Sequence, residues 1–141
     1  MDKENFRERK RLEEIVETIN KDVDSIIVEG YSDKQVMNQL GFEGKIFLSA
    51  ERTLEDLAED VSRASERVAI LTDFDEHGKE ENQKILQELQ SQVDVIKASR
   101  KEFGSQLTST GRRAIEDVSP LFRSKERKFV DAALDTIFFR K

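Results

Sequence analysis

Val68-Ala69-Ile70-Leu71-Thr72-Asp73-Phe74-Asp75-Glu76-His77-Gly78 is the stretch that decides how this chain folds. Its first four residues are apolar without interruption, too short a run for a buried helix and lacking the polar alternate positions of a half-exposed strand. A strand covered on both faces reads this way, and such strands belong to parallel sheets. The run stops abruptly at Thr72 and the two aspartates, Asp73 and Asp75.

Three more runs of the same kind lie on either side: Ser25–Val28, Ile46–Leu48 and Val93–Ile96. Between them the apolar residues recur at helical spacing. Leu12, Ile15, Val16 and Ile19 mark a helix over 5–20, and Val36, Met37 and Leu40 mark a short one that ends before Gly41. Leu54, Leu57, Ala58 and Val61 mark a third, opened by Thr53 as N-cap, and Ile85, Leu86 and Leu89 a fourth. Ser99 to Gly111 reads as polar and irregular. Beyond Pro120 a helix is expected over 124–138, with Phe138 and Phe139 docking on the body.

Strands alternating with single helices predict an α/β fold of Rossmann-like type, with a four-stranded, mainly parallel sheet and helices on both faces. The preferred strand order is 2-1-3-4, because it sets the end of the first strand beside the end of the third. The chain divides into an N-terminal helix over 1–21, a central α/β domain over 22–100, and a C-terminal loop and helical extension over 101–141 packed on the same domain.

The chain has 141 residues, about one domain. It contains no cysteine, so disulfides, thiolate metal sites and thiol nucleophiles are excluded. No apolar run approaches the ~20 residues that cross a bilayer, and the first residues lack a secretory core; no membrane partner is expected, and the cytoplasm is the expected location. The formal net charge of −6 argues against a bulk electrostatic grip on nucleic acid, so any such contact must be local. Charge is unevenly spread. Residues 51–90 hold 12 acidic and 5 basic side chains, whereas residues 97–141 hold 11 basic and 6 acidic ones. Lys97, Arg100, Lys101, Arg112 and Arg113 are the expected contacts to a phosphate backbone.

In an open parallel sheet every strand ends on one edge, and ligands bind there at the point where strand order reverses. The first strand ends in Glu29-Gly30 and the third in Asp73-Phe74-Asp75. Neighbouring strands lie ~5 Å apart, so Glu29 and Asp73 would approach one another. Two carboxylates ~4 Å apart repel by roughly 4 kcal/mol at an effective dielectric of 20, which a shared cation would offset. Oxygen ligands with room for water and phosphate suit Mg²⁺, with Mn²⁺ as a substitute. Gly30 and Gly78 are expected to turn the chain sharply after each carboxylate. Capping of helix N-termini is the plainer role for any one of these acids.

Rival readings of Asp-x-Asp fail on this sequence. An EF-hand loop opening at Asp73 would need an oxygen ligand where His77 stands and a glutamate where Lys84 stands. The aspartyl phosphatases usually place threonine where this chain has His77. Neither a Walker-type loop nor a Gly-x-Gly-x-x-Gly turn is present.

Val28-Glu29-Gly30-Tyr31-Ser32-Asp33 followed by Leu71-Thr72-Asp73-Phe74-Asp75-Glu76-His77-Gly78 resembles the paired signatures of the Toprim domain, which is shared by topoisomerases, bacterial-type primases and the ribonuclease that matures 5S ribosomal RNA. Size and helical ends look most like the small stand-alone Toprim proteins of archaea and some bacteria. The resemblance covers residues 22–100. It implies that Glu29 is a general acid/base and a metal ligand, and that Asp73 and Asp75 hold one or two Mg²⁺ ions. Asp33 matches the acidic residue after the first motif, where a helix cap is an equal reading. The implied function is Mg²⁺-dependent chemistry on nucleic-acid phosphodiesters, foremost a nuclease in RNA or DNA processing. The alternatives are a non-catalytic module that keeps the metal site, binds nucleic acid and serves a protein partner in a larger processing complex, and a phosphohydrolase of small nucleotides. The sole tyrosine, Tyr31, lies inside the motif, and no cysteine is present for zinc, so neither a topoisomerase nor a complete primase fits.

Overall fold

The computed structural model describes residues 3–122. The helix expected over 124–138, with Phe138 and Phe139, lies outside them. Among these residues the chain runs through α1 (Lys3–Asp22), β1 (Ser25–Val28), α2 (Tyr31–Gln39), β2 (Lys45–Leu48), α3 (Leu54–Ala64), β3 (Arg67–Ile70), α4 (Glu76–Leu89), β4 (Asp94–Val95), α5 (Lys97–Ser109) and a 3-10 turn over Ile115–Val118. The sheet has the order β2-β1-β3-β4, and every pair is parallel.

Alternation along the strands divides the core between two faces. Ile26, Val28, Ala69 and Leu71 pack with Leu12, Val16 and Ile19 of α1, Val36 and Met37 of α2, and Phe103 and Leu107 of α5. Ile27, Val68 and Ile70 point the other way, onto Leu57, Ala58 and Val61 of α3 and Ile85 and Leu89 of α4. Because both faces are covered, β1 is buried at all four positions, as its uninterrupted apolar run requires. Helix α3 starts as its sequence predicts, with Thr53 Oγ1 accepting the Asp56 N–H at 3.1 Å.

Two expectations need correction. Ser99–Gly111 is not an irregular loop, since most of it belongs to α5. Only Phe103 and Leu107 are large on its inward face. The remaining contact is made by Ser99 and Gly104, which are small enough to let the helix approach the sheet. A Cβ at residue 104 would sit 2.6 Å from the Phe74 ring. Helix α5 also crosses the expected boundary at residue 100 and packs against α1 and β3, so no break in the fold occurs there.

Register positions the candidate site. Ile27 pairs with Ile70 across β1 and β3, and Leu71 N–H continues the ladder to Ile27 O at 2.7 Å. Glu29 and Asp73 therefore leave the same edge of the sheet from adjacent strands. No helix among the described residues is long and apolar enough to cross a membrane.

Candidate active site at the carboxyl edge of the sheet

The half-buried Glu29 carboxylate accepts the Asp73 N–H at 3.2 Å, which ties the two motifs together. Both acids are pushed out of the ordinary carboxylate range. Glu29 rises to about 7, first through burial and then through the negative charge of Asp73. Asp73 rises to about 6, first through burial and then through the charge of Asp33. A carboxyl near 7 suits proton transfer at neutral pH.

A third acid joins this pair. Glu81 on α4 acts to raise the Glu29 pKa and accepts Ser49 Oγ–H at 2.5 Å. Sequence reading missed it, although Glu81 shares the inward stripe of α4 with Gly78, Ile85 and Leu89. Its place at helical spacing on the stripe of Gly78, Ile85 and Leu89 is the signal the sequence holds.

Asp33 has a structural role. Buried under the start of α2, it accepts the Gly30 N–H at 3.1 Å and the Glu116 N–H at 3.0 Å. Burial raises its pKa, and these two donors act in the opposite direction. Asp75 caps α4, accepting the Gly78 N–H at 2.8 Å through Oδ1. It does not close a three-carboxylate cluster with Glu29 and Asp73. Among the described residues no three histidine, aspartate or glutamate side chains converge as a ready-made cation site.

The glycines act differently from expectation. Gly30 is extended, at φ −141°, and no atom would meet a Cβ there. Gly78 lies inside α4, where a Cβ would collide with the Asp73 backbone. It allows the first turn of α4 to press against the end of β3. Thr72 Oγ1 then donates to Gly78 O at 2.9 Å.

Of the expected phosphate contacts, the structure commits two elsewhere. Strand β4 is only two residues long, and α5 begins at Lys97, so the carbonyls beyond Val68 on that side of β3 find no strand partner. Arg100 takes them. Its guanidinium donates to Ile70 O at 3.2 Å, Thr72 O at 2.8 Å and Asp73 O at 3.1 Å, and stacks 4.4 Å from the Phe74 ring centroid. Burial lowers its pKa, while Asp73, Glu29 and Glu81 act to raise it. Arg112 pairs with buried Glu8, Nε to Oε1 at 2.5 Å and Nη2 to Oε2 at 3.3 Å. Lys97, Lys101 and Arg113 remain exposed, and they share one open cleft of about 500 Å³ with Lys79. His77 is exposed at the start of α4, and the Tyr31 ring stands 63% exposed at the start of α2, two residues after Glu29.

The donor set is compatible with a hard divalent ion. Mg²⁺ is commonly bound by one or two carboxylates and completes its shell with water and substrate phosphate, and Glu29 with Asp73 offers such a pair. Burial raises both acids even with the Arg100 guanidinium nearby, and a bound cation would favour their charged forms.

No family model matches the chain. A UPF0292 protein of Pyrococcus furiosus is 31% identical over 119 residues, covering 84% of this chain and 89% of the relative. A UPF0292 protein of Methanosarcina barkeri is 37% identical over 76 residues, half of this chain and 53% of the relative. Among solved structures, a protein from Aquifex aeolicus superposes with a TM-score of 0.59 at 27% identity, covering 77% of this chain and 94% of that one. With the Pyrococcus relative matched along most of both sequences, the chain belongs to the UPF0292 family.

Proposed function

We propose that this protein is a Toprim-like, Mg²⁺-dependent enzyme acting on nucleic-acid phosphodiesters, a nuclease in RNA or DNA processing, with Mn²⁺ as an alternative ion. The observation that carries the reading is the pairing of Glu29 and Asp73 on adjacent parallel strands at the switch point of the sheet. Glu29, with its pKa near neutrality, is the group that moves the proton. Glu29 and Asp73 would hold the ion, which when bound supplies charge stabilisation at the phosphoryl oxygens. Asp75 sets the start of α4, and Arg100 fixes the backbone from which Asp73 projects. The exposed Tyr31 ring offers a face on which a base can stack.

A second reading is favoured by one observation: Lys79, Lys97, Lys101 and Arg113 line one open cleft that could bind nucleic acid without any chemistry. On this reading the chain is a non-catalytic metal- and nucleic-acid-binding module of a larger processing complex.

End-labelled single- and double-stranded RNA and DNA, incubated with Mg²⁺, Mn²⁺ or EDTA, separate the two. Metal-dependent cutting lost in both Glu29→Gln and Asp73→Asn supports the enzyme. Cutting that survives Glu29→Gln removes Glu29 from the mechanism, and binding without cutting by any form supports the module.

A further inference from the structure

The cleft between the start of α4 and the outer face of α5 lies next to the acidic pair but has the opposite charge. Lys97 and Lys101 stand one turn apart on α5, Arg113 approaches from the segment after it, and Lys79 from α4. Among the described residues Lys97, Lys101 and Arg113 make no ion pair, and Lys79 has only a 3.9 Å contact with exposed Glu76. Exposed cations that converge on one concave surface without partners repel each other, and an anion would relieve them.

Helix α5 supports the same sign. It opens at Ile96 with no side-chain cap and no acid in its first turn, whereas α3 and α4 each open with a capping side chain and an acid. The positive end of its dipole is thus uncompensated where Lys97 borders the cleft.

The cleft and the carboxylates share a wall. Phe74, on the cleft side, follows Asp73 directly, so their Cα atoms lie about 3.8 Å apart. Arg100 borders the cleft while its Nη2 holds Asp73 O at 3.1 Å.

We infer that this cleft is a phosphate subsite, which holds through Lys97, Lys101, Arg113 and Lys79 a phosphate neighbouring the one presented to Glu29 and Asp73. The inference rests on the proposed action on nucleic acid and adds where the strand is gripped. Arg100, half-buried and held by backbone carbonyls, and Arg112, paired with Glu8, take no part in the grip. The phosphate is either an internal phosphodiester or a terminal monophosphate, and the chemistry of the subsite accepts both.

The test is fluorescence anisotropy with a 3′-labelled single-stranded 12-nucleotide RNA, carrying either a 5′-phosphate or a 5′-hydroxyl, in EDTA and across a salt series. The proteins are the full-length wild type, Lys97→Ala/Lys101→Ala, and a charge-matched control, Lys10→Ala/Lys21→Ala, changed at exposed positions of α1. The cleft variant should bind about tenfold more weakly, with a salt slope shallower by roughly 1 to 2, while the control binds as wild type does. A gain from the 5′-phosphate that the cleft variant loses identifies a terminal group, and equal binding of both RNAs identifies an internal one. Equal weakening in both double variants, or weakening in neither, overturns the subsite. The binding assay runs in EDTA on wild-type catalytic residues and reads no cleavage, so a failed cleavage assay and a failed subsite register as different results.

Discussion

Glu29 Oε1 lies 3.2 Å from the amide nitrogen of Asp73, a residue 44 positions away in the chain. The same hydrogen bond that joins the ends of two strands also holds two acids together in a partly dry pocket. Such an arrangement trades stability of the free protein for readiness to take up a positive charge.

Stability should therefore depend on pH in an unusual direction. Glu29 and Asp73 move from ordinary values of 4.5 and 3.8 to about 7 and about 6, so between pH 4 and 7 the folded state binds more protons than the unfolded chain. Their contribution is fully present below pH 4 and is lost as the pH rises through 7. Thermal unfolding in EDTA should show these two groups lowering Tm from pH 5 to pH 8, with Glu29→Gln flattening the slope. Millimolar Mg²⁺ should restore Tm at pH 8 and have little effect at pH 5.

Removing one charge of the pair should stabilise the free protein. Asp73→Asn keeps the size of the side chain and removes its repulsion with Glu29. At pH 8 in EDTA its Tm should exceed that of the wild type by about 2 °C. Cleavage, if Asp73 serves as proposed, should fall by at least about a hundredfold. A variant both more stable and less active separates a functional acid from a structural one.

Gly78 and Gly30 should respond differently to substitution. Ala at 78 drives a Cβ into the Asp73 backbone, so α4 or the end of β3 must shift, at about 1–3 kcal/mol. Ser at 30 meets no atom and occupies an N-cap position, so its effect on stability should stay within about 0.5 kcal/mol. Urea unfolding of both variants checks the contrast.

Arg100 should behave as a structural cation. Arg100→Ala strands the Ile70, Thr72 and Asp73 carbonyls, and even lysine cannot reach them all with a planar fork. A loss of about 2–4 kcal/mol is expected for Ala and a smaller loss for Lys, read from chemical denaturation. An Arg100→Ala protein as stable as wild type would return this residue to the list of substrate contacts.

Much of the fold is legible in the sequence because it is written in large apolar residues. Strands such as Ile26-Ile27-Val28 leave no helical alternative, and Thr53 announces the start of α3. Their order follows from placing Glu29 beside the aspartates, and the sheet has that order. Helix α5 is hidden because its inward face is half glycine and serine, whose role is closeness and not hydrophobicity. The duties of Arg100 and Arg112 are hidden for a different reason. One follows from a strand that stops after two residues, and the other from a glutamate 104 positions away. Glu81 was within reach, since its place on the α4 stripe can be counted from the sequence.

The pairing of Glu8 with Arg112 also orders events in time. Helix α1 is made well before α5, which partly covers the face carrying Leu12, Val16 and Ile19, and Glu8 is neutralised only when residue 112 arrives. A growing chain on the ribosome therefore carries an apolar helix face that is only partly covered until α5 has followed. Cut the message short before that arginine codon, and the product is a chain with an adhesive first helix, a natural substrate for chaperones and proteases.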